Sequence, residues 1–360
     1  MPFLVDIQTT FPENYYSQER LLTELSNLWK NKVKNMERVK SLHENVQVSS
    51  RHLACELPRY FEFKSFDEKN DLFINASIDL LQLAVEKILC KNDLKPSEIS
   101  SIFSNTVTGF AIPSLEARLM NRINFSTDTK RTPLMGLGCM AGVAGINRVA
   151  DYLKGHPNEA VLFITVELCS LTVQMNDVTA ANLVSTGLFG DGCAAVLMVG
   201  DNHPLTKVSQ LEFIDSRSEF FKDSEEVMGW QVGEKGMSII LSRGVPEITE
   251  ERLPKPLNEF LHKNNLSLND ISTFLAHPGG PKVLWAMEKV FDLPMGGLKH
   301  SWESLKENGN MSSVSVLDIM ARTFANKKLN NRKSQKSVDF ALSVAMGPAF
   351  SAEFGLFKWV

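Results

Sequence analysis

Of the five cysteines in this 360-residue chain, Cys139 has the most unusual surroundings. It follows Gly136 and Gly138 in the run LMGLGCMAGVAGINRVA (134–150), where glycines free the backbone to turn. Small residues come next, and Val143, Ile146, Val149 and Ala150 then recur at helical spacing. The pattern puts a thiol at a helix start, where unpaired N–H groups and the helix dipole favour an anion, so a thiolate near neutral pH is expected. The alternative is a structural cysteine buried beside a tightly packed helix.

Two more loops carry chemistry-bearing residues at strand-to-helix junctions. In LAHPGGPKVL, His277 ends an apolar strand and the Pro-Gly-Gly-Pro turn forces the chain into a helix. In ENGNMSSVSVLD, Asn310 sits just before another helix. Carboxyl ends of strands and starts of helices are where ligands collect in α/β sheets. Taken singly, His277 reads as a turn histidine and Asn310 as a helix N-cap. Together, a cysteine nucleophile, a histidine base or ion-pair partner and an amide donor complete a thiol active site.

The elements that must position these residues alternate between helix and strand. Polar sequence with intermittent apolar residues from Phe11 to about Asp71 reads as helices, with Leu21, Leu22, Leu25, Leu28 and Trp29 at helical spacing. Phe73 to Cys90 is an amphipathic helix, Ile99 to Val107 a strand, Ser114 to Ile123 a helix, and Glu159 to Val166 a fully buried strand. A short helix is expected near Asn182, and Asp191–Gly192 reads as a hairpin turn between two apolar runs. After a polar link at Asp201–Pro204 come a strand over 208–215, a helix over 246–263, a strand over 271–276, helices over 281–291 and 311–324, and closing strands over 337–346 and 350–359. Both halves thus put strand–loop–helix units around a reactive-looking loop, without a detectable sequence repeat.

Length favours two domains or two fused halves. Hydrophobic content of 43%, charged content of 22% and a net charge of −4 describe an ordinary globular protein and give no reason to expect nucleic acid as a partner. The one basic cluster, Lys327, Lys328, Arg332, Lys333 and Lys336, lies among Asn, Ser and Gln and reads as a solvated loop. No leader and no membrane-spanning run is visible, so a cytoplasmic location is expected. An odd number of cysteines without a C-x-x-C pair, and histidines without metal spacing, point to reduced thiols and to no metal site.

The motifs GLGCMAGVAG around Cys139, LFGDGCAAV containing Phe189, HPGGPKVL from His277 and ENGNMSSVSVLD containing Asn310 resemble, in combination and in order, the type III polyketide synthases. These are the chalcone synthase-like enzymes of the thiolase superfamily. TVTGFAIPSLEARLMNR, VELCSLT and MGWQVGEKGM look like the bacterial alkylpyrone and alkylresorcinol synthases, and Cys169 stands where plant members usually have threonine. The glycine loop GPAFSAE (347–353) departs from the plant GPGLT, which bears on the shape of the cyclisation cavity.

The resemblance implies an α/β, thiolase-like fold of two similar halves in a layered αβαβα core. Residues 1–204 would carry the nucleophile and 205–360 the histidine and asparagine. It implies an acyl-CoA starter loaded on Cys139, extended with malonyl-CoA by decarboxylative Claisen condensation, and cyclised to an alkylpyrone or alkylresorcinol. Coenzyme A thioesters would be substrates, with no cofactor. His277 and Asn310 would bind the thioester carbonyl, and Phe189 would stand beside the malonyl carboxylate. Cys169, Thr172, Trp230, Ile239 and Ser312 fall where the family lines its cavity, and Ile112 where a homodimer projects a loop residue into its neighbour. Arg38, Lys40 and Arg51 are candidates for the basic coenzyme A contacts. A ketoacyl-carrier-protein synthase III-like enzyme that condenses once, and a non-catalytic thiolase-fold binding protein, are the other readings.

The expected chemistry suits the residues. Decarboxylation supplies a carbanion equivalent without a strong base, and the enolate oxygen then needs donors such as a histidine N–H and an asparagine amide. A phenylalanine at 189 supplies a dry wall that favours loss of the carboxylate.

Overall fold

The computed structural model describes residues 1–233, 236–326 and 338–360. The 327–336 basic cluster and the first residue of the penultimate predicted strand lie outside the described residues.

Thirteen strands are present among the described residues: β1 (Phe3–Thr10), β2 (Asn14–Ser17), β3 (Ser50–Leu53), β4 (Ile99–Asn105), β5 (Lys130–Leu134), β6 (Ala160–Leu168), β7 (Asp191–Val199), β8 (Leu211–Phe220), β9 (Met228–Gly233), β10 (Gly236–Leu241), β11 (Ile271–Ala276), β12 (Phe340–Gly347) and β13 (Ser351–Trp359). Nine of them run in the order β11-β12-β13-β8-β1-β7-β6-β4-β5. From each side toward the β8–β1 junction the pairing repeats. β4 is parallel to β6 and β11 to β12; β6 is antiparallel to β7 and β12 to β13; β7 is antiparallel to β1 and β13 to β8. The two halves are therefore built alike, although their sequences show no repeat.

The helices fill three layers. Phe66–Lys91 buries Phe73, Leu81, Val85 and Ile88 against one outer face of the first half. Pro254–Lys263 and Pro281–Val290 cover the other outer face, on the second half. Between the halves lie Ala141–Lys154 and Ser313–Ala325, whose Val143, Ile146, Val149, Val316 and Met320 share one core with strands of both halves. These two helices are almost wholly buried, which accounts for the small and aliphatic residues on every side of them. The result is the αβαβα arrangement of a thiolase-like fold. Among the described residues no helix is long and apolar enough to cross a membrane.

Several sequence expectations need correcting. The 11–71 region is not all helix, because β2 and β3 pair there as a small antiparallel sheet between Gln18–Trp29, Met36–Asn45 and the later helices. Asp191–Gly192 is not a hairpin turn. Asp191 opens β7, and its buried carboxylate accepts from Ala54 N, Ser170 N and Ser170 Oγ; the apolar run before it ends a helix, Ala180–Leu188. The expected 246–263 helix is two, Val245–Arg252 and Pro254–Lys263, since Pro254 has no N–H to continue the ladder. The 114–123 helix shrinks to Leu115–Leu119.

Candidate active site

The cysteine, histidine and asparagine converge because the two central helices start side by side. A Cβ at Gly142 would lie 2.3 Å from the Ser313 carbonyl oxygen, so only glycine lets these helix starts approach so closely. Cys139 sits in a 3-10 turn, Gly138–Met140, just before Ala141–Lys154. Gly138 has φ +54 and lies against Pro348, with 2.5 Å between that ring and an added Cβ, so the GPAFSAE loop packs directly on the cysteine turn.

Asn310 is held through its backbone by Leu188 and Gly190. Its N–H donates to the Leu188 carbonyl (2.8 Å), and its own carbonyl accepts from Gly190 N (3.0 Å). Its side-chain oxygen accepts from Ser312 N (2.8 Å), which leaves the amide nitrogen with one long contact to the Gly279 carbonyl (3.3 Å). Ser312 follows at φ +50, a conformation that costs a non-glycine residue ~1–3 kcal/mol. Its hydroxyl lies where it favours a thiolate at Cys139. His277 leaves the end of β11 with its N–H on the Val344 carbonyl (2.9 Å). Its ring is buried, and among the described residues neither ring nitrogen has a hydrogen-bond partner.

Cys139, His277, Asn310, Ser312, Phe189, Trp230 and Ile239 all open on one cavity of about 620 Å³. Phe189 and Trp230 lean together across it, ring centroids 6.5 Å apart. Most of the remaining wall is aliphatic, including Leu42, Val184, Leu188, Leu241 and Met346. Three of the expected positions are not on this wall. Cys169 and Thr172 are buried in the turn after β6, where the Thr172 hydroxyl donates to the Cys169 carbonyl (2.7 Å). Ile112 is 97% exposed on its loop.

The basic candidates separate. Arg38 is exposed on the rim of the cavity; Lys40 is exposed but away from it. Arg51 cannot meet a phosphate, because it is buried and its guanidinium donates to the Thr186 carbonyl (2.5 Å) and the Phe189 carbonyl (3.3 Å). Sequence reasoning missed Arg243 and Lys282, which stand exposed on the rim with Arg38. Lys282 was legible in principle, since it follows the HPGGP turn directly.

Burial dominates the electrostatics. It pushes the Cys139 thiol up to about 11, with the Glu167 charge adding to the effect and the Ser312 hydroxyl opposing it. It pushes His277 down to about 3. The expectation that the helix start alone makes a thiolate near neutral pH is therefore corrected: an isolated charge on either group is disfavoured in this enclosed site. Each therefore favours its neutral form.

Glu167 is a second missed residue. Burial raises its carboxyl to about 7, and it accepts from Ser313 Oγ (2.6 Å), Thr108 Oγ1 (2.9 Å) and Val107 N (3.1 Å). The signal for it was an acid at the end of the apolar run EAVLFITVEL.

The chain is similar to known proteins along its whole length. The family described as "FAE1/Type III polyketide synthase-like protein" matches residues 41–215, and "Chalcone and stilbene synthases, C-terminal domain" matches residues 212–360. A putative chalcone synthase of Bacillus subtilis is 37% identical, over 100% of this chain and 99% of its own length. A 1,3,6,8-tetrahydroxynaphthalene synthase of Streptomyces peucetius is 35% identical, over 98% of this chain and 92% of its own. The crystal structure of the 1,3,6,8-tetrahydroxynaphthalene synthase of Streptomyces coelicolor superposes with a TM-score of 0.91 at 26% identity, covering 99% of both chains.

Proposed function

Since this chain belongs to the type III polyketide synthases, a family of acyl-transferring condensing enzymes, we propose that it extends an aliphatic acyl-CoA starter with malonyl-CoA and closes the product to an alkylpyrone or alkylresorcinol. The observation that carries the reading is the buried His277 ring, with two unpartnered nitrogens, opening on the same cavity as Cys139 and Asn310. A buried polar group without a partner is costly, and a substrate carbonyl in that cavity would remove the cost.

In this reading Cys139 gives its proton to His277 as its sulfur attacks the starter carbonyl. The carbon–sulfur bond to coenzyme A breaks, and the leaving thiolate takes the proton back. Malonyl-CoA then enters the vacated site. Its carboxylate carbon–carbon bond breaks, carbon dioxide leaves, and the electron pair moves into an enolate whose oxygen accepts from the His277 N–H and the Asn310 amide. The enolate carbon attacks the acyl group on Cys139, expelling the sulfur and leaving a β-ketoacyl-CoA two carbons longer. Phe189 and Trp230 keep water from the departing carboxylate. Arg38, Arg243 and Lys282 on the rim suit the phosphates of coenzyme A.

The largely aliphatic wall supports an alkyl starter, which buries methylenes, over a phenolic one, which needs hydrogen-bonding partners. The two named relatives differ in product name, so family membership alone does not choose the ring. We also propose a homodimer, supported by the exposed Ile112 on a loop whose neighbour Phe110 is clamped by Asn70 in two 2.9 Å hydrogen bonds. A partner copy packed on this loop would take that side chain out of water. The test is incubation of the protein with a panel of acyl-CoAs and labelled malonyl-CoA, with products identified by mass. Alkylated pyrones or resorcinols carrying two or more malonyl units are expected. A product that stops after one condensation overturns the reading.

A further inference from the structure

We infer that Arg51 is a positioning residue for the condensation step, capping the helix that carries Phe189 and, through it, setting Asn310; this rests on the roles proposed above for those two residues. Arg51 lies on β3, behind the cavity wall and not part of it, and its side chain is buried. Its two terminal nitrogens donate to the carbonyls of Thr186 (2.5 Å) and Phe189 (3.3 Å), the final turn and C-cap of Ala180–Leu188. The carbonyls of a last helical turn have no partner within the helix, and a cation there also meets the negative end of the dipole.

The capped segment is the one that orients the asparagine. Leu188 O accepts from Asn310 N and Gly190 N donates to Asn310 O, so 188–190 and 310 form a short bridge of parallel strand. There is no slack in that bridge. A Cβ at Gly190 would lie 2.0 Å from the Asn308 carbonyl on one side and 3.2 Å from the Arg51 Cβ on the other. The 188–190 segment is thus held between the asparagine loop and the arginine. Asp191, the residue after it, is the acid whose charge offsets the buried guanidinium. Two forked donors on two carbonyls fix the direction as well as the position of the helix end, which one ammonium cannot do.

Loading of Cys139 uses neither Phe189 nor Asn310 in the proposed mechanism, whereas malonyl-CoA decarboxylation uses both. Loss of Arg51 should therefore split the two half-reactions. The experiment compares wild type, Arg51→Met and Arg51→Lys by the rate of Cys139 acylation, read as intact mass, and by kcat and KM for release of labelled carbon dioxide from malonyl-CoA, alongside melting temperature. Arg51→Met is expected to lose about tenfold to a hundredfold in decarboxylation kcat, with acylation rate and malonyl-CoA KM within about threefold of wild type. Arg51→Lys, which keeps the charge and reaches one carbonyl at a time, is expected to fall between them and holds the test open if the methionine variant does not fold.

Equal fractional losses in both half-reactions would mean a merely structural role and overturn the inference. So would a raised KM at unchanged kcat, the mark of a coenzyme A contact, or an Arg51→Lys decarboxylation kcat equal to wild type. A wild-type protein that releases no carbon dioxide from malonyl-CoA would refute the parent mechanism, and the wild-type control detects that separately.

Discussion

Removing His277 should leave the resting thiol of Cys139 almost unchanged, because each member of the pair rests in its neutral form. Burial, with the Ser312 hydroxyl opposing it and the Glu167 charge adding to it, puts that thiol at about 11, and burial puts His277 at about 3. The roughly eight pH units between them make transfer of the proton from sulfur to imidazole cost ~11 kcal/mol. A contact ion pair at ~4 Å and an effective dielectric of ~20 returns only ~4 kcal/mol of that. The ion pair therefore lies ~7 kcal/mol above the neutral pair, a population of about one in a hundred thousand.

At pH 7 a thiol at about 11 is ionised to about one part in ten thousand by loss of its proton to water, about tenfold more than the ion pair supplies. The net expectation is alkylation of Cys139 by iodoacetamide at rates within about twofold of each other in wild type and His277→Gln at pH 7, both climbing about tenfold per pH unit toward pH 11. Acyl loading, in which the imidazole takes the proton only as the sulfur attacks, should still fall by about a hundredfold or more in the variant. Peptide mapping after timed quenching reads Cys139 apart from Cys55, Cys90, Cys169 and Cys193. A wild-type alkylation rate that levels off below pH 9, or that exceeds the variant's by tenfold or more at pH 7, would refute the neutral pair, and unchanged loading in the variant would refute the role of the imidazole as base.

Other outcomes separate the remaining roles. Cys139→Ala should abolish acyl loading and product together, while Asn310→Ala should load normally and lose about a hundredfold or more in condensation; blocked loading in Asn310→Ala would contradict the assignment. Across saturated acyl-CoAs, kcat/KM should climb with chain length by up to ~0.8 kcal/mol per buried methylene until the cavity is full, and Ile239→Phe should move that limit to shorter chains. A coumaroyl-type starter that outcompetes every alkyl one, or a length profile unmoved by Ile239→Phe, would count against the alkyl cavity. Sedimentation should give a dimer at micromolar concentration and Ile112→Asp a weaker one, by at least about tenfold; a monomeric wild type refutes this. Glu167 keeps its proton in the folded protein up to about pH 7, whereas the unfolded chain releases it near its ordinary 4.5, so its contribution to stability is lost as pH rises between those values. Glu167→Gln should gain up to ~3 kcal/mol on the wild type between pH 4.5 and 7 in denaturant titrations, and parallel curves would show that Glu167 does not titrate there.

What could be read from the sequence is what is local to a turn. The glycines before Cys139, the Pro-Gly-Gly-Pro after His277 and the helix after Asn310 each fix a backbone path within a few residues, and all three loops fell where the spacing placed them. Asp191 shows the limit of that kind of reading. Asp-Gly is a strong turn signal, but here the carboxylate accepts hydrogen bonds from Ala54 and Ser170, 137 and 21 positions away, and the backbone runs straight on as strand. Arg51 and Glu167 fail for the same reason. Nothing adjacent to Arg51 reveals that it is buried, since its partners lie 135 and 138 residues on; for Glu167 the apolar run before it is a sign of burial, but its partners include Thr108 and Ser313 on two other elements. Polar residues whose partners are distant look like surface residues in a single chain.

The equivalence of the halves explains where the site residues stand and why the halves differ in what they carry. Each half runs from a strand (β4, β11) through two further elements, Leu115–Leu119 and β5 in the first and Pro281–Val290 and Lys299–Asn308 in the second, to a central helix and on to the strand paired beside it (β6, β12). Cys139 and Asn310 hold the same station, just ahead of the two central helices, which is why their side chains reach one cavity. His277, at the end of β11, corresponds to the segment after β4, where Thr106, Val107 and Thr108 instead donate to Glu167. One half therefore spends that strand end on an unpartnered imidazole facing the cavity, and the other on donors that keep a buried acid satisfied beneath it. Glu167 adds its charge to the forces that hold Cys139 in the thiol form. The first half thus restrains the nucleophile, and in the proposed mechanism the second supplies the base that takes its proton as the sulfur attacks.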